Sequence, residues 1–379
     1  MNTIYFDNAA TTPIISEVIE VVSESMRTNF GNPSSTHKLG RTAKSAVETV
    51  RKTIAKYLNV SSSEIIFTAG GSEADNLILR NAVVNLGVRT IISSKIEHHA
   101  VLHTIAQLKR DFDIQVLDVN VDEFGVVDYN HLVHLMSNAE TKVLVSLMYI
   151  NNEIGTLLDL KKIGGLCEQH GALFHSDTVQ GVAHFKIDLK ETPVDFMVAS
   201  AHKFHGPKGV GFAYVKKGFG IAPILHGGEQ EKGARAGTEN VHSIVGMGSA
   251  LQLGCDQIAE ETIYIQSLKD YFIAALNSNF EGIAYNGNSD DAAKTSHIIL
   301  NVRFPKNYAM MLFNLDLKGI AASGGSACQS GSNKGSHVLN TILSAENAEK
   351  TSVRFSFSKL NTTAEIDTVI EVLKGIINK

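Results

Sequence analysis

The amino-acid sequence predicts an α/β protein built on a mostly parallel sheet. Between residues 65 and 200, short apolar runs rich in Ile, Val and Phe alternate with longer amphipathic segments. This is the pattern of strands alternating with helices in βαβ units. The runs are apolar at consecutive positions rather than at every second one, which is typical of strands buried on both faces.

The predicted elements follow one another along the chain. Predicted strands of the main sheet occupy 65–67, 90–92, 114–117, 143–148, 172–174 and 194–199. Predicted helices occupy 16–26, with Ser16 as N-cap, then 40–58, 73–86, 100–109, 160–170 and 244–277. A glycine-rich segment at 226–238 reads as a loop, and strands at 296–302 and 352–356 indicate a smaller α+β domain.

Composition and charge exclude several classes of protein. The chain has 379 residues, 44% of them hydrophobic, which is enough for two globular domains. Its formal net charge is −5 without a block of like charges, which argues against direct nucleic-acid binding and against a membrane-surface protein. No signal-peptide pattern opens the chain, and no apolar run approaches the ~18 residues of a membrane span. We therefore expect a soluble, cytoplasmic protein.

Two polar side chains follow two successive predicted strands. Asp177 follows the apolar run 172–174, and Lys203 follows the run 194–199. Open α/β sheets bind ligands at the carboxyl edge of their strands. An aspartate that can pair with a pyridinium nitrogen and a lysine that can form a Schiff base are what pyridoxal 5'-phosphate (PLP) requires of a protein. The pair therefore predicts a PLP site, although either residue alone would more often be an ordinary capping or surface residue.

The turn after the first predicted strand is a candidate phosphate site. Its two glycines, Gly70 and Gly71, allow backbone N–H groups to approach an anion, and Ser72 adds a hydroxyl. The helix that follows would direct the positive end of its dipole at the same point. The alternative is an ordinary βα turn with Ser72 as helix cap. The turn matches neither Walker A nor Gly-x-Gly-x-x-Gly, so nucleotide binding is not favoured.

Three further donors lie near the lysine and the aspartate in sequence. Ser200 and His202 precede the lysine and suit a phosphate, while Gln180 lies one turn after the aspartate and suits a ring hydroxyl. His202 and His205 also form a His-x-x-His pair. No Cys, Asp or Glu accompanies that pair at ligand spacing, so we expect no metal.

Three other residues are candidates for substrate contacts, each with a plainer alternative. His98 follows a predicted strand and could stack on a ring and move protons, or be a solvated loop histidine. Asn152 lies in an Asn-Asn-Glu-Ile-Gly motif, where an asparagine could donate to a carboxylate or form an Asx turn. Arg354 lies in an apolar strand, where its guanidinium could bind an amino-acid carboxylate or form a structural ion pair.

The cysteines divide by their surroundings. Cys167, Cys255 and Cys328 lack Cys-x-x-Cys spacing, so neither a disulfide framework nor a structural zinc site is expected. Cys167 and Cys255 read as buried small hydrophobes. Cys328 lies in a segment rich in Gly and Ser, where exposure and a flexible backbone would allow its thiolate to act as a nucleophile.

Seven motifs in this order resemble the cysteine desulfurase family of fold-type I, class V PLP-dependent transferases. The resemblance covers nearly the whole chain, and the joint order of the motifs carries it, since each one alone is weak. The motifs are YFDNAATT at 5–12, GNPSS at 31–35, SEADN at 72–76, EH at 97–98, NNEIG at 151–155, SAHK at 200–203 and GSAC at 325–328. The polar run 329–336 resembles the long-loop branch of NifS- and IscS-type enzymes.

The resemblance implies a role for each candidate residue. Lys203 would bind PLP as a Schiff base, Asp177 would pair with the pyridine nitrogen, Gln180 would contact the ring hydroxyl, and His98 would stack on the ring and transfer protons. Ser72, Ser200 and His202 would bind the phosphate, joined by Thr238 from the other subunit of a homodimer. Asn152 and Arg354 would hold the carboxylate of L-cysteine. Cys328 would take the sulfur as a persulfide and pass it to an Fe–S scaffold protein or another acceptor, for Fe–S cluster assembly or tRNA thiolation.

The resemblance also implies a domain division and leaves alternatives. A large PLP-binding domain with a mostly parallel seven-stranded sheet would span 15–257. A small domain would combine 1–14 with 258–379. The closest alternative activity is a selenocysteine lyase or another class V lyase or aminotransferase, which would have no need of Cys328. A non-catalytic scaffold is a different class of alternative, and the retention of Lys203 argues against it.

Overall fold

The computed structural model describes residues 3–324 and 335–377. Its strands are β1 (Ile4–Tyr5), β2 (Ile65–Thr68), β3 (Thr90–Ser93), β4 (Gln115–Asp118), β5 (Val143–Ser146), β6 (Leu173–Asp177), β7 (Phe196–Ser200), β8 (Gly211–Val215), β9 (Ala284–Tyr285), β10 (Ile299–Arg303), β11 (Ile320–Ala321) and β12 (Ser352–Ser356). Its α-helices are α1 (Ser16–Thr28), α2 (Lys38–Leu58), α3 (Gly71–Val84), α4 (His99–Asp111), α5 (Tyr129–Ser137), α6 (Leu160–Gln169), α7 (Val241–Asn279), α8 (Met311–Leu317), α9 (His337–Ile342), α10 (Ala345–Ala348) and α11 (Thr363–Ile377).

The central sheet has seven strands in the order β2-β8-β7-β6-β5-β3-β4. β8 runs antiparallel to both of its neighbours, β2 and β7, and the other neighbouring pairs are parallel. The predicted α/β fold with a mostly parallel sheet is therefore confirmed. The predicted helices between the strands are present, whereas β8 of this sheet, helix α5 and helices α8 to α11 were not predicted.

Both faces of the sheet are covered, because successive residues of a strand point to opposite sides. In β5, Val145 packs into a core shared with α2, α6 and α7. Its neighbour Leu144 packs into a second core shared with α3 and α4. Every residue of β5, β6 and β7 is buried. These strands are apolar at consecutive positions because both of their faces are buried.

The register of β6 and β7 brings the predicted lysine and aspartate together. Asp177, the last residue of β6, pairs with Val198 in the parallel ladder. β7 continues two residues further, and a short 3₁₀ turn, Ala201–Lys203, follows it directly. The two polar residues thus share one edge of the sheet, as the sequence predicted.

The predicted helix starts are less accurate. Ser16 is the first residue of α1 and not its cap, since the N-cap is Ile15, which makes no side-chain cap hydrogen bond. α2 begins two residues before its predicted start, and the side chain of His37 caps it by accepting from the Gly40 N–H. Histidine is not among the preferred N-cap residues, so the sequence offered no clear signal for this start.

The C-terminal part of the chain, with the first few residues, builds smaller sheets. β9, β10 and β12 form an antiparallel sheet in the order β12-β10-β9, and β1 pairs in parallel with β11. Phe6, Phe272 and Phe355 pack together in the core of this part. The division at 257/258 falls inside the continuous helix α7 and stays a prediction. Among the helices of the described residues, none is long and apolar enough to cross a membrane.

Candidate active site

A cavity of about 220 Å³ at the carboxyl edge of the sheet brings most of the predicted site residues together. The predicted residues that line it are Ser72, His98, Asn152, Asp177, Gln180, Ser200, His202, Lys203 and Arg354. The remaining lining residues are Ala9, Ala10, Gly71, Asp75, Met148 and Val179. Ala9 and Ala10 contribute backbone carbonyls, and backbone atoms leave no signal in a sequence.

Two predicted residues are not in this lining. Thr238 lines a separate cavity of about 180 Å³, and its assignment to the site of another subunit stays a prediction. Cys328 lies outside the described residues. A larger cavity of about 910 Å³ surrounds Arg51 and Glu231, but these two side chains pair with each other through 2.7 Å contacts. We therefore assign the site to the smaller cavity, where the lysine and the aspartate meet.

Lys203 is held at the edge of the cavity by backbone groups. Its Nζ atom donates to the carbonyl oxygens of Ala9 at 2.6 Å and Ala10 at 2.9 Å. On its other side, Nε2 of His184 lies 2.9 Å from the Lys203 carbonyl oxygen. The amine therefore points into the cavity beside a segment that is nearly two hundred residues away in sequence.

Asp177 ends β6, and Gln180 lies on the turn that follows it. Oδ1 of the buried Asp177 accepts a hydrogen bond from the Val179 N–H at 3.0 Å, which fixes the orientation of the carboxylate. Nε2 of Gln180 donates to the Ala9 carbonyl at 2.9 Å. Gln180 and Lys203 thus share one acceptor, and both point toward the space where a ring would lie.

The end of the cavity at which the sequence predicts a phosphate is built from the start of α3. Gly70 has φ 149°, a value that side chains rarely adopt, and a Cβ atom there would lie 3.3 Å from Oγ of Ser200. The N-cap of α3 is Gly70, so the alternative role of Ser72 as a cap is wrong. Ser72, Ser200 and Lys208 also line an adjoining cavity of about 520 Å³. This end therefore combines hydroxyls, a helix N-terminus and a lysine that the sequence reasoning missed.

His98 has an oriented ring rather than a solvated one. It is the N-cap of α4, and its Nδ1 accepts a hydrogen bond from the Ala100 N–H at 3.1 Å. Nδ1 is therefore unprotonated, and the proton of the neutral ring is on Nε2. Burial lowers the pKa of His98, while the charge of Asp177 acts in the opposite direction. The ring is available as a neutral proton carrier at the cavity wall.

Of the two asparagines after β5, one forms the Asx turn and the other lines the cavity. Asn151 makes the Asx turn, because its Oδ1 accepts from the N–H groups of Glu153 and Ile154 at 2.9 and 3.1 Å. Asn152 lines the cavity. Its carbonyl oxygen accepts from Nη1 of Arg354 at 2.7 Å.

Arg354 is almost completely buried, with 1% of its surface exposed. Besides the Asn152 carbonyl, its guanidinium contacts Oδ1 of Asp7, which lies 2.8 Å from Nη2. Its Nε atom has no hydrogen-bond partner among the described residues. The structural ion pair that was the alternative role of Arg354 is therefore present. The guanidinium also has N–H groups left that can donate at the cavity wall. Asp7 was not predicted, since its partner is 347 positions away.

The described residues on both sides of Cys328 are joined to this part of the site. Ser323 exchanges backbone hydrogen bonds with Arg354, and its Oγ donates to Asp7 at 2.8 Å. Ser336, beyond the cysteine, donates through its hydroxyl to the buried carboxylate of Glu153. Both flanks of the segment that contains Cys328 are thus fixed close to the arginine.

The donor set of the cavity fits PLP. The fit rests on an amine that can form a Schiff base, an oriented carboxylate, and a glycine turn at a helix N-terminus with two hydroxyls. The close approach at Gly71, where a Cβ atom would lie 2.7 Å from Cγ2 of Val179, leaves no room for a side chain. The start of α3 can therefore pack directly against the residues that follow Asp177.

The family comparison covers almost the whole chain. A family model described as "Aminotransferase class-V" matches residues 4–369. The chain is 40% identical to "Putative cysteine desulfurase IscS 1" of Bacillus subtilis, with 100% of both chains covered. It is 38% identical to "Cysteine desulfurase IscS" of Dictyoglomus turgidum over 99% of this chain and 95% of the relative.

Solved structures agree with the sequence relatives. The fold is similar to a "NIFS-LIKE PROTEIN", with a TM-score of 0.90 and 34% identity over 99% of each chain. It is also similar to a NifS-like protein from Rickettsia africae, with a TM-score of 0.89 and 34% identity over 100% of each chain. A third structure, described as "SspA in complex with cysteine", has a TM-score of 0.83 and 30% identity over 95% of this chain and 100% of that one.

Proposed function

This chain belongs to the class-V aminotransferase family, and we propose that it is a PLP-dependent cysteine desulfurase that converts L-cysteine to L-alanine and retains the sulfur on Cys328. The observation that carries the proposal is the meeting of Lys203, Asp177 and Arg354 around one cavity. These residues supply a Schiff-base amine, a partner for a ring nitrogen and a partner for an amino-acid carboxylate.

The residues around the cavity would hold the cofactor at three points. Lys203 would exchange its two carbonyl acceptors, Ala9 and Ala10, for a covalent bond to PLP. Asp177, oriented by the Val179 N–H, would face the ring nitrogen. The hydroxyls of Ser72 and Ser200 would bind the phosphate. When bound, PLP supplies an electron sink for a carbanion at the substrate.

The substrate would be oriented by its carboxylate. Arg354 offers its unused N–H groups at the cavity wall, which Asn152 also lines. A bidentate contact between guanidinium and carboxylate would fix the amino acid in one orientation. His98, whose Nδ1 is occupied by the Ala100 N–H, would move the substrate proton at Nε2.

Sulfur transfer requires one nucleophile and no external oxidant. The Cys328 thiolate attacks the substrate sulfur, so that an S–S bond forms as the C–S bond breaks. The electron pair of the broken bond stays with carbon, which takes up a proton and leaves as alanine. The chain then carries a persulfide on Cys328, which a thiol of an acceptor can remove.

We propose an acceptor from Fe–S cluster assembly or tRNA thiolation, and a homodimer as the working form. The first proposal draws on the relatives that carry the name IscS. The homodimer draws on the position of Thr238, which lines a different cavity from Lys203 in the same chain and would reach a phosphate only in the other subunit.

The test is alanine formation from L-cysteine by Cys328→Ser and by the matched control Cys255→Ser. Cys328→Ser should keep the PLP absorbance and lose alanine formation, and Cys255→Ser should keep both. Mass spectrometry of the wild type after incubation with cysteine should place a persulfide on Cys328. Unchanged turnover of Cys328→Ser would remove the persulfide mechanism and favour a lyase. A protein that stays colourless after PLP is added would favour a non-catalytic scaffold.

A further inference from the structure

The buried side chains of Asp75 and His175 face each other beneath the cavity. Oδ1 of Asp75 lies 3.4 Å from Nε2 of His175, and at most 1% of either side chain is exposed. Neither of these two atoms has a hydrogen-bond partner among the described residues. An unprotonated nitrogen and an unprotonated oxygen would repel each other at this distance. One of the two must therefore carry a proton.

The other ring nitrogen of His175 leads deeper into the sheet. Nδ1 lies 2.9 Å from Oγ of Ser146, and the carbonyl oxygen of Ser146 accepts a hydrogen bond from the Ser93 hydroxyl. β6 places His175 two residues before Asp177, so both side chains lie on the same face of the sheet. Asp75 lines the cavity beside Asp177. A continuous chain of polar groups thus runs from the cavity through His175 into β5.

The charges around Asp75 disfavour its ionised form. Asp75 faces a histidine rather than a lysine or an arginine, and a buried carboxylate without a cation is costly. Two other acids, Asp177 and Glu97, lie near it, and His98 and Lys203 line the same cavity. Burial first, and then the charges of Asp177 and Glu97, raise the pKa of Asp75 well above its ordinary value.

The protonation of the groups around Asp75 is consistent with an uncharged Asp75. Burial lowers the pKa of His175 to about 3, so its ring is neutral near pH 7. Burial also raises the pKa of Glu97 to about 8, with the charge of Asp177 adding to the effect. Glu97 is therefore largely protonated near pH 7, where burial and the charge of Asp177 are the main causes that act on the pKa of Asp75.

We propose that Asp75 is a positioning residue whose uncharged carboxyl group donates a hydrogen bond to Nε2 of His175, so that Asp177 carries the negative charge at the cavity. In this arrangement the His175 proton is on Nδ1 and is donated to Ser146. The proposal deepens the proposed function and rests on it, since Asp177 is there the partner of the ring nitrogen. An ionised Asp75 would instead place a second anion beside Asp177.

With Asp75 uncharged, a single, fixed anion would face the nitrogen of a bound cofactor ring. Two carboxylates sharing the site would disfavour each other's ionised form, and one would take up a proton. Because Asp75 already carries its proton and points it at His175, Asp177 needs none. The ring nitrogen can then keep its own proton, on which the electron-sink chemistry depends.

The first test needs no cofactor. In the ¹⁵N NMR spectrum of the apoprotein near pH 7, His175 should be the neutral tautomer with its proton on Nδ1, and His175→Gln identifies its signals. The infrared difference between the wild type and Asp75→Asn should contain the C=O stretch of a protonated carboxylic acid. The matched control Asp111→Asn, on the exposed end of α4, should lack that band. A His175 proton on Nε2, or a carboxylate band for Asp75, would overturn the proposal.

The second test uses the holoenzyme and two substitutions. Under the proposal, Asp75→Asn replaces an uncharged group and Asp177→Asn removes a negative charge. Asn resembles a protonated aspartate in shape and charge. Asp75→Asn should therefore shift the pH midpoint of the Schiff-base absorbance by at most about 0.3 pH unit, a factor of two in that equilibrium. Asp177→Asn should lower PLP retention at least tenfold. A shift of a full unit or more in Asp75→Asn would show that Asp75 contributes a charge and would refute its neutral role.

The two hypotheses fail separately. If the proposed function is wrong, the wild type shows no Schiff-base absorbance with PLP. If the Asp75–His175 arrangement is wrong, the apoprotein spectra show it while the cofactor still binds. If Asp75→Asn does not fold, the histidine tautomer of the wild type decides the matter alone.

Discussion

Nη2 of Arg354 lies 2.8 Å from Oδ1 of Asp7, and the same oxygen accepts the hydroxyl of Ser323 at the same distance. One carboxylate therefore joins the N-terminal segment, β12 and the chain that leads to Cys328. The arginine is almost fully buried, so its orientation depends on this contact and on the Asn152 carbonyl.

Asp7→Asn should raise the KM for L-cysteine about tenfold with a smaller change in kcat, because the guanidinium loses a charge-assisted hydrogen bond worth roughly 1.4 kcal/mol. The matched control is Asp367→Asn, whose carboxylate accepts from the exposed Tyr271 hydroxyl. Steady-state kinetics of both variants decide the point. Equal KM values in Asp7→Asn and the wild type would mean that Arg354 is oriented without Asp7.

The pair of Arg51 and Glu231 anchors the glycine-rich loop that leads to Thr238. Both side chains are buried, and Glu231 also accepts the Phe67 N–H at 2.9 Å. Glu231→Gln should lower the free energy of unfolding by about 3 kcal/mol, since it removes the buried anionic partner of a buried guanidinium. Urea denaturation measures this change. The exposed pair of Arg27 and Glu24 provides the control, because Glu24→Gln should cost at most ~0.5 kcal/mol.

Thiol labelling should separate the three cysteines. Burial raises the pKa of both Cys167 and Cys255 to about 12. At pH 8 only about one thiol in 10⁴ of each would be a thiolate. Iodoacetamide should therefore modify Cys328 first, and Cys328→Ser should remove the fast phase. Mass spectrometry after short labelling gives the order, and rapid alkylation of Cys255 would contradict it.

Glu97 should make stability depend on pH. Burial raises its pKa from 4.5 to about 8 in the folded chain. The folded state thus binds this proton more tightly, and the associated stability is complete below about pH 4.5 and is lost as the pH rises to about 8. Glu97→Gln, which can still accept from Ser94, does not titrate. Its Tm relative to the wild type should therefore rise between about pH 5 and pH 8 and then level off.

A Tm difference that stays flat across this range would show that Glu97 has an ordinary pKa. A suitable control is Glu346→Gln on α10, an exposed glutamate paired with Lys350. The difference for that variant should not change with pH in this window.

The sequence alone determined the sheet and most of the cavity lining. A short run of consecutive apolar residues, such as 143–145, is typical of a strand buried on both faces. Polar residues that follow such strands must then meet at one edge, as Asp177 and Lys203 do. The sequence also predicted the glycine turn, and the structure gives the physical reason for the glycine, since Gly70 has φ 149° and a Cβ atom there would lie 3.3 Å from Oγ of Ser200.

Only the tertiary structure decided what those residues contact. Asp7 and Arg354 are 347 positions apart, and His175 meets Asp75 across the space between β6 and α3. Neither contact follows from a local pattern, since each depends on how distant elements pack. The start of α2 likewise depends on the side chain of His37, which is a weak cap by propensity. Periodicity and residue type report local burial, whereas the charge of a buried acid is set by the neighbours that packing brings to it.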